Sequence, residues 1–240
     1  MRTLAVRGIR LSEASFNAWK TLPDLSFARP GRGSGWVSRW LDRDPQGRQA
    51  INLGSSALEL PSGAPVWNNK DVVRLLSSPR KTQQLLGIMQ PLAPSHFPAN
   101  VWIKRPGRQG SGATQMTIEA PVTNLGVNDT VQLHVDGQEM RLITVGHRVV
   151  QQHLRHGPNG AREYAWVRQR DVPQRAKEAV RQAAALLPGR NIIAWDVIVH
   201  RSNYPFILEG NTCPGMGTAT ASRIYREMTR VEQEGVIDFE

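Results

Sequence analysis

The chain has 240 residues, enough to bury a proper hydrophobic core as one composite domain or two small ones. Lys and Arg total 30 against 20 Asp and Glu, a formal charge of +10 that suits phosphate-bearing or acidic ligands. A single cysteine, Cys213, excludes an intrachain disulfide framework and a cysteine-rich zinc site, and no apolar run approaches the ~20 residues of a membrane-spanning helix.

At the N-terminus, Met1 to Gly8 carries neither a sustained apolar stretch nor a small-residue cleavage site, so a cytoplasmic location is expected. Residues 11–22 read as a short helix beginning at Ser12 or Glu13. Residues 28–48, rich in Arg, Gly, Asp and Pro, read as loop, interrupted by the semi-apolar run Trp36 to Leu41. This opening stretch is expected to be too short and irregular for a full N-terminal α/β domain. Ala50 to Gly54 and Pro65 to Asn68 are short strand candidates. Apolar residues then recur at helical spacing over Asn69 to Leu76 and Pro79 to Met89, with Ser77 or Ser78 as cap and Pro79 in the first turn.

Beyond Pro91, Pro94 and Pro98 the pattern changes to short strands, at 101–104, 115–118, 130–135, 139–145 and 149–154. Asp136-Gly137 reads as a hairpin turn, and Gly146-His147 as a turn signal. Residues 173–187 are helical, with Pro188-Gly189 past the end. Residues 192–199 and 205–209 form a final strand pair, and 219–231 a last helix. Strands and helices mixed in this order give an α+β class. The basic residues are scattered, with no block of five like charges. That distribution reads first as a solubility feature; nucleic-acid binding is the lesser expectation.

The chemistry concentrates in Trp195-Asp196-Val197 and, after a short loop, Phe206-Ile207-Leu208-Glu209-Gly210-Asn211. Alternate side chains of a strand share a face, so Glu209 and Asn211 point together, and a hairpin brings Asp196 beside them. Two carboxylates and an amide oxygen are hard ligands suited to Mg²⁺, which takes few protein ligands because water and substrate phosphates complete its shell. The competing reading, solvated strand residues, is opposed by the apolar neighbours Trp195, Ile207 and Leu208. The histidines His134, His147, His153, His156 and His200 lack zinc-protease spacing. Cys213 reads as a packed small residue, and the tryptophans as core.

At these residues the chain resembles the ATP-grasp superfamily, of the carboxylate–amine ligase type represented by ribosomal-protein glutamate ligases and D-alanine–D-alanine ligases. Asp196, Glu209, Asn211 and Pro214-Gly215 follow the family's order. Lys81, on the helix after Ser78, resembles the first nucleotide lysine. Lys104 resembles the second, followed by a glycine-rich loop over 107–112 that includes Gly110, Ser111 and Gly112. Gln132, Leu133, His134 and Val135 resemble the adenine hinge, Glu139 the ribose-binding acid, and Arg141 a phosphate-facing arginine. The stretch Arg162 to Arg170 matches the acceptor-side segment poorly; Arg168 is its candidate for stabilising a transferred group, and Arg155 is a further phosphate candidate.

The resemblance implies an ATP-grasp fold in which two α+β subdomains sandwich the nucleotide. Residues 1–76 form a shortened N-terminal region, 77–135 the small lobe and 136–240 the larger lobe with the metal site. It implies ATP and Mg²⁺ as cofactors, and small-molecule or peptide carboxylate and amine substrates, of acidic character given the charge. The implied activity is amide or peptide bond formation through an acyl phosphate. The alternative is an inactive ATP-grasp-like binding or structural protein in a larger assembly, with recognition by the N-terminal region reduced or supplied by another chain.

Overall fold

The structure is a computed structural model and describes residues 2–7, 12–28, 34–44, 47–60, 64–105, 113–156, 163–166, 171–213 and 216–234. The N-terminal stretch is more regular than its composition implies. Strands β1 (Arg2–Arg7), β2 (Leu25–Phe27), β3 (Arg48–Leu53) and β4 (Val66–Trp67) form a parallel sheet in the order β2-β1-β3-β4. Helix α1 (Glu13–Lys20) starts where Ser12 accepts a hydrogen bond from the Ser15 N–H, as its sequence predicts. Residues 34–42, expected as loop, form helix α2 (Ser34–Asp42). Val37 and Leu41, four apart, drive it by burying one face against Leu4, Val6 and Ala50. The stretch from Arg2 to Trp67 therefore contains a small parallel α/β layer, and the expectation of irregular chain is corrected.

Helices α3 (Lys70–Leu76) and α4 (Pro79–Leu86) follow, capped by Asn69 and Ser78. Next comes a three-stranded antiparallel sheet, β5 (Ala99–Lys104), β6 (Ala113–Ile118) and β7 (Thr130–Leu133), in the order β6-β5-β7. The remaining strands make a five-stranded antiparallel sheet in the order β10-β9-β8-β11-β12. They are β8 (Gly137–Val145), β9 (Arg148–His156), β10 (Glu163–Trp166), β11 (Ile192–His200) and β12 (Pro205–Asn211). Helix α5 (Gln174–Ala185) covers one face and α6 (Thr218–Gln233) part of the other.

The alternation along β11 shows how that sheet is used. Ile193, Trp195, Val197 and Val199 pack with α5, while Ile192 and Ala194 pack with α6 and the N-terminal layer. Asp196 is next on the α6-side face, beyond the last residue α6 covers. Trp195, fully buried on the other face, satisfies its indole N–H with the Thr144 hydroxyl at 3.0 Å. Gly210 pairs directly with Trp195; a Cβ there would meet the indole ring at 2.8 Å, so only glycine fits.

Asp136-Gly137 is not a hairpin turn, which corrects the sequence reading. β7 and β8 belong to different sheets, and residues 134–136 carry the chain between them. Gly137 is needed for another reason: it lies opposite His200, and a Cβ would come within 2.2 Å of the Val199 carbonyl oxygen. Gly146, with φ +58, does turn β8 into β9.

The N-terminal layer and the large sheet are joined through Asn68. Its φ of +57 is a conformation asparagine tolerates better than most residues. The fully buried amide donates to the carbonyls of Ile192 (3.1 Å), Thr212 (3.3 Å) and Asn52 (3.4 Å) and accepts from the Ile192 N–H (2.7 Å). One side chain thus links β3, β11 and the end of β12.

Candidate functional site

Four residues line up across the large sheet on the face that α6 leaves uncovered. The register pairs His153 of β9 with Arg141 of β8, Arg141 with Asp196 of β11, and Asp196 with Glu209 of β12. Directly opposed residues of an antiparallel ladder project to the same side, so the order His153, Arg141, Asp196, Glu209 runs strand by strand. Arg141 clamps Asp196 with two parallel bonds, Nε to Oδ1 at 2.6 Å and Nη2 to Oδ2 at 2.7 Å. Both partners are largely removed from solvent, the geometry in which a guanidinium–carboxylate pair is strongest.

A β-bulge brings Glu209 into this row. The ladder pairs Asp196 with Glu209 and Val197 with Ile207, so Leu208 is an extra residue on β12. Ile207 is core. Under strict alternation Glu209 would share the side of Ile207, away from Asp196; the inserted Leu208 moves it to the other. The Leu208 carbonyl, freed from the ladder, is held by the Lys104 ammonium at 2.6 Å and the Gln90 amide at 3.2 Å. Lys104, the last residue of β5, thereby ties the small sheet to the carboxylate strand.

The electrostatics are uneven. Glu209 has an exposed surface, yet protein atoms crowd it closely enough to desolvate it. That desolvation raises its pKa above 4.5, against the lowering influence of Lys104, and the neighbouring charge of Asp196 raises it further. His153 moves the opposite way. Burial, then the charges of Arg141 and Arg223, push its pKa below 6.5 and favour the neutral imidazole. Its Nδ1 is buried with no hydrogen-bond partner among the described residues.

This donor set fits a hard divalent cation. Two opposed carboxylates repel each other, and Arg141 and Lys104 offset that repulsion only in part; a dication would relieve it. Asn211 shares the Glu209 side, opposite Ala194. Its Oδ1 already accepts the Cys213 N–H at 2.8 Å, which leaves one lone pair. Among the described residues no cluster of three or more His, Cys, Asp or Glu side chains forms a metal cage. Mg²⁺ held largely by water and phosphate needs none.

Other predicted positions are distributed as follows. Gln132 is buried on β7, and Leu133 is exposed beside it. His134 accepts the Trp102 indole N–H on Nδ1 at 2.9 Å and approaches Asp136 through Nε2 at 3.3 Å, which fixes the crossing between the sheets; Val135 lies in the same crossing. Glu139 stands two residues before Arg141 on β8, opposite Ile198, hence on the same face as the row. Lys81 is exposed on α4, and among the described contacts none joins it to the carboxylates. Gly107, Gly110, Ser111, Gly112, Arg162, Arg168, Arg170 and Pro214-Gly215 lie outside the described residues, as does the side chain of Arg155. Gln90 and the Leu208 bulge went unpredicted. One signal was available: an apolar core residue at 207 and a carboxylate at 209 conflict under regular alternation.

Solved structures match nearly the whole chain. A D-alanine–D-alanine ligase from Bacillus anthracis superposes with a TM-score of 0.60 over 98% of this chain and 99% of its own, at 12% identity. A RimK domain ATP-grasp protein from Sphaerobacter thermophilus gives 0.59 over 97% and 100%, at 15% identity. The chain has the ATP-grasp fold. An L-amino acid ligase from Bacillus licheniformis shares it, with a TM-score of 0.55 over 92% of this chain and 69% of its own, at 14% identity. No protein-family model matches the sequence, and no curated protein does. Within the ATP-grasp fold, the Arg141–Asp196–Glu209 row stands on the large sheet and Lys104 reaches it from the small one. No helix among the described residues is long and apolar enough to cross a membrane.

Proposed function

We propose that this chain is an ATP-dependent carboxylate–amine ligase. The observation that carries the reading is the opposed carboxylate pair Asp196 and Glu209, met by Lys104 from the facing sheet within an ATP-grasp fold. On this reading residues 1–76 are the small N-terminal region, 77–135 one nucleotide lobe and 136–240 the other. A carboxylate substrate attacks the γ-phosphorus of ATP, giving an acyl phosphate and ADP. An amine then attacks the acyl carbon, expelling phosphate and losing a proton, to leave an amide. Mg²⁺ would be held by Asp196 and Glu209, with Asn211 able to add an oxygen, and would neutralise phosphate charge.

The chain's own residues supply the rest. Lys104 and Lys81 are point charges for phosphate oxygens. Arg141, clamped by Asp196, presents a fixed cation beside the transferred group, and Arg168 is a second candidate for that role. Gln132, Leu133, His134 and Val135 would frame adenine, Glu139 would take the ribose hydroxyls, and Gly110, Ser111 and Gly112 would offer backbone N–H groups to phosphate. The cytoplasm is the expected compartment, and the formal charge of +10 favours acidic substrates.

A second reading, a fold that binds without turnover, draws on the engagement of both Asp196 oxygens by Arg141. ADP release measured across a panel of amino acids and amines separates the two. The ligase reading expects ADP formation that needs both a carboxylate and an amine, and that falls by roughly 100-fold or more in Asp196→Asn and Glu209→Gln. ATP binding without ADP release under any pair of substrates would leave the binding protein.

A further inference from the structure

The bulge that turns Glu209 toward Asp196 leaves one backbone carbonyl outside the ladder, and two side chains hold it. A carbonyl oxygen has two lone pairs, and Lys104 and Gln90 take them at 2.6 and 3.2 Å. The two donors are not equivalent. Lys104 is the last residue of β5 and is partly exposed. The ligase reading assigns its ammonium to phosphate, and engaged there it would give up the shorter bond to the Leu208 carbonyl.

Gln90 cannot leave. It is 1% exposed and directly follows the 3-10 turn at Gly87–Met89, which packs against β12. Its orientation is also determined: turning the amide over would set Oε1 against the Leu208 oxygen, acceptor against acceptor. With Nε2 committed, Oε1 is buried without a hydrogen-bond partner among the described residues. An unpaired buried oxygen is costly, and a leucine or methionine would avoid it. Such a residue persists most readily where its one bond matters.

We infer that Gln90 is a positioning residue for the carboxylate pair: it keeps the Leu208 carbonyl anchored, and with it the bulge that sets Glu209 opposite Asp196, while Lys104 moves to the nucleotide. The inference rests on the proposed ligase reading, because it assigns Lys104 to phosphate and Glu209 to a cation. Its action on Glu209 passes through a single peptide unit, Leu208 to Glu209.

The test uses Mn²⁺ as the probe, titrated by electron paramagnetic resonance into the protein saturated with ADP, for the wild type and Gln90→Met. Methionine keeps length and volume but cannot donate. The expected result is Mn²⁺ binding weakened about 10-fold or more, as for other residues that orient a metal ligand. ADP binding without metal stays within about 2-fold and the ligand-free melting temperature changes little, because a merely structural loss would move all three together. Unchanged Mn²⁺ affinity, or an equal fall in metal-free ADP binding, overturns the inference while leaving the ligase reading intact. Absence of Mn²⁺ binding in the wild type defeats the ligase reading itself, and this inference with it.

A second measurement avoids the variant altogether. In the wild type, the Gln90 side-chain amide protons should stay protected from solvent exchange both before and after Mg²⁺ and ADP are added. Loss of that protection on binding contradicts the inference.

Discussion

Two of the polar clusters among the described residues are finished differently. At the junction of the N-terminal layer with the large sheet, Asn68 has every donor and its acceptor engaged, with three carbonyls and one N–H around it. On the uncovered face of the same large sheet, Arg141 and Asp196 are matched, but Glu209 beside them is desolvated and faces a like charge. A fully satisfied network rigidifies and specifies one arrangement. A network in which desolvation outweighs the pairing, as at Glu209, keeps a repulsion that a bound cation would relieve. The first has the character of a structural joint; on the proposed reading the second is a binding site, and its stability is lower for that reason.

The comparison can be broken most severely by removing one member of the matched pair. Asp196→Ala leaves Arg141 buried without its counter-charge and should cost about 3–5 kcal/mol, a fall in melting temperature of roughly 10 °C for a chain of this size, read by calorimetry. At the joint, Asn68→Ala removes four hydrogen bonds and forces alanine to a φ of +57. A loss of about 3 kcal/mol in denaturant titration is expected. A loss under about 1 kcal/mol would mean the joint is not structural.

Gly137→Ala tests the crossing between the sheets. The added methyl meets a backbone carbonyl that cannot turn aside, so a loss of about 2 kcal/mol is expected. Glu209→Gln should act in the opposite direction. It removes a desolvated carboxylate that faces a like charge and raises unfolding stability at neutral pH, by less than about 1 kcal/mol because solvent screens the repulsion.

That last gain depends on pH. Glu209 holds its proton more tightly folded than unfolded, its unfolded value lying near 4.5. At pH below 4.5 the residue is protonated in both states and costs nothing. As pH rises from 4.5 through the raised folded value, the unfolded chain releases the proton first, and wild-type stability falls relative to Glu209→Gln. Above the folded value the gap is constant. Melting curves of the two proteins across this range should diverge and then run parallel; curves parallel throughout would show that Glu209 titrates normally.

Much of this architecture is legible in the residues. The caps at Ser12 and Ser78 have the right side chains one step before apolar periodicity begins, and the 192–211 hairpin announces itself by two apolar runs around a polar loop. Helix α2 is not legible because glycine, arginine and proline around it outweigh only two buried residues, Val37 and Leu41, whose partners lie on strands before and after it in the chain. Asp136-Gly137 has hairpin chemistry, but the strands on either side join different sheets, which no local signal reports. The carboxylates were recognisable by type and order, whereas their convergence depends on one inserted residue, Leu208, and on Lys104 and Gln90 arriving from distant segments. Long-range hydrogen bonds of that kind leave no periodicity to read.

The central claim is that Asp196 and Glu209 together hold a divalent cation. Crystals grown with Mn²⁺ and ADP, measured at the manganese absorption edge, test it most directly. The account predicts an anomalous peak within about 2.2 Å of a carboxylate oxygen from each residue, with the remaining positions filled by phosphate and water. A peak touching neither carboxylate, or a nucleotide bound with its phosphates turned away from Lys104 and the Asp196–Glu209 pair, would contradict it.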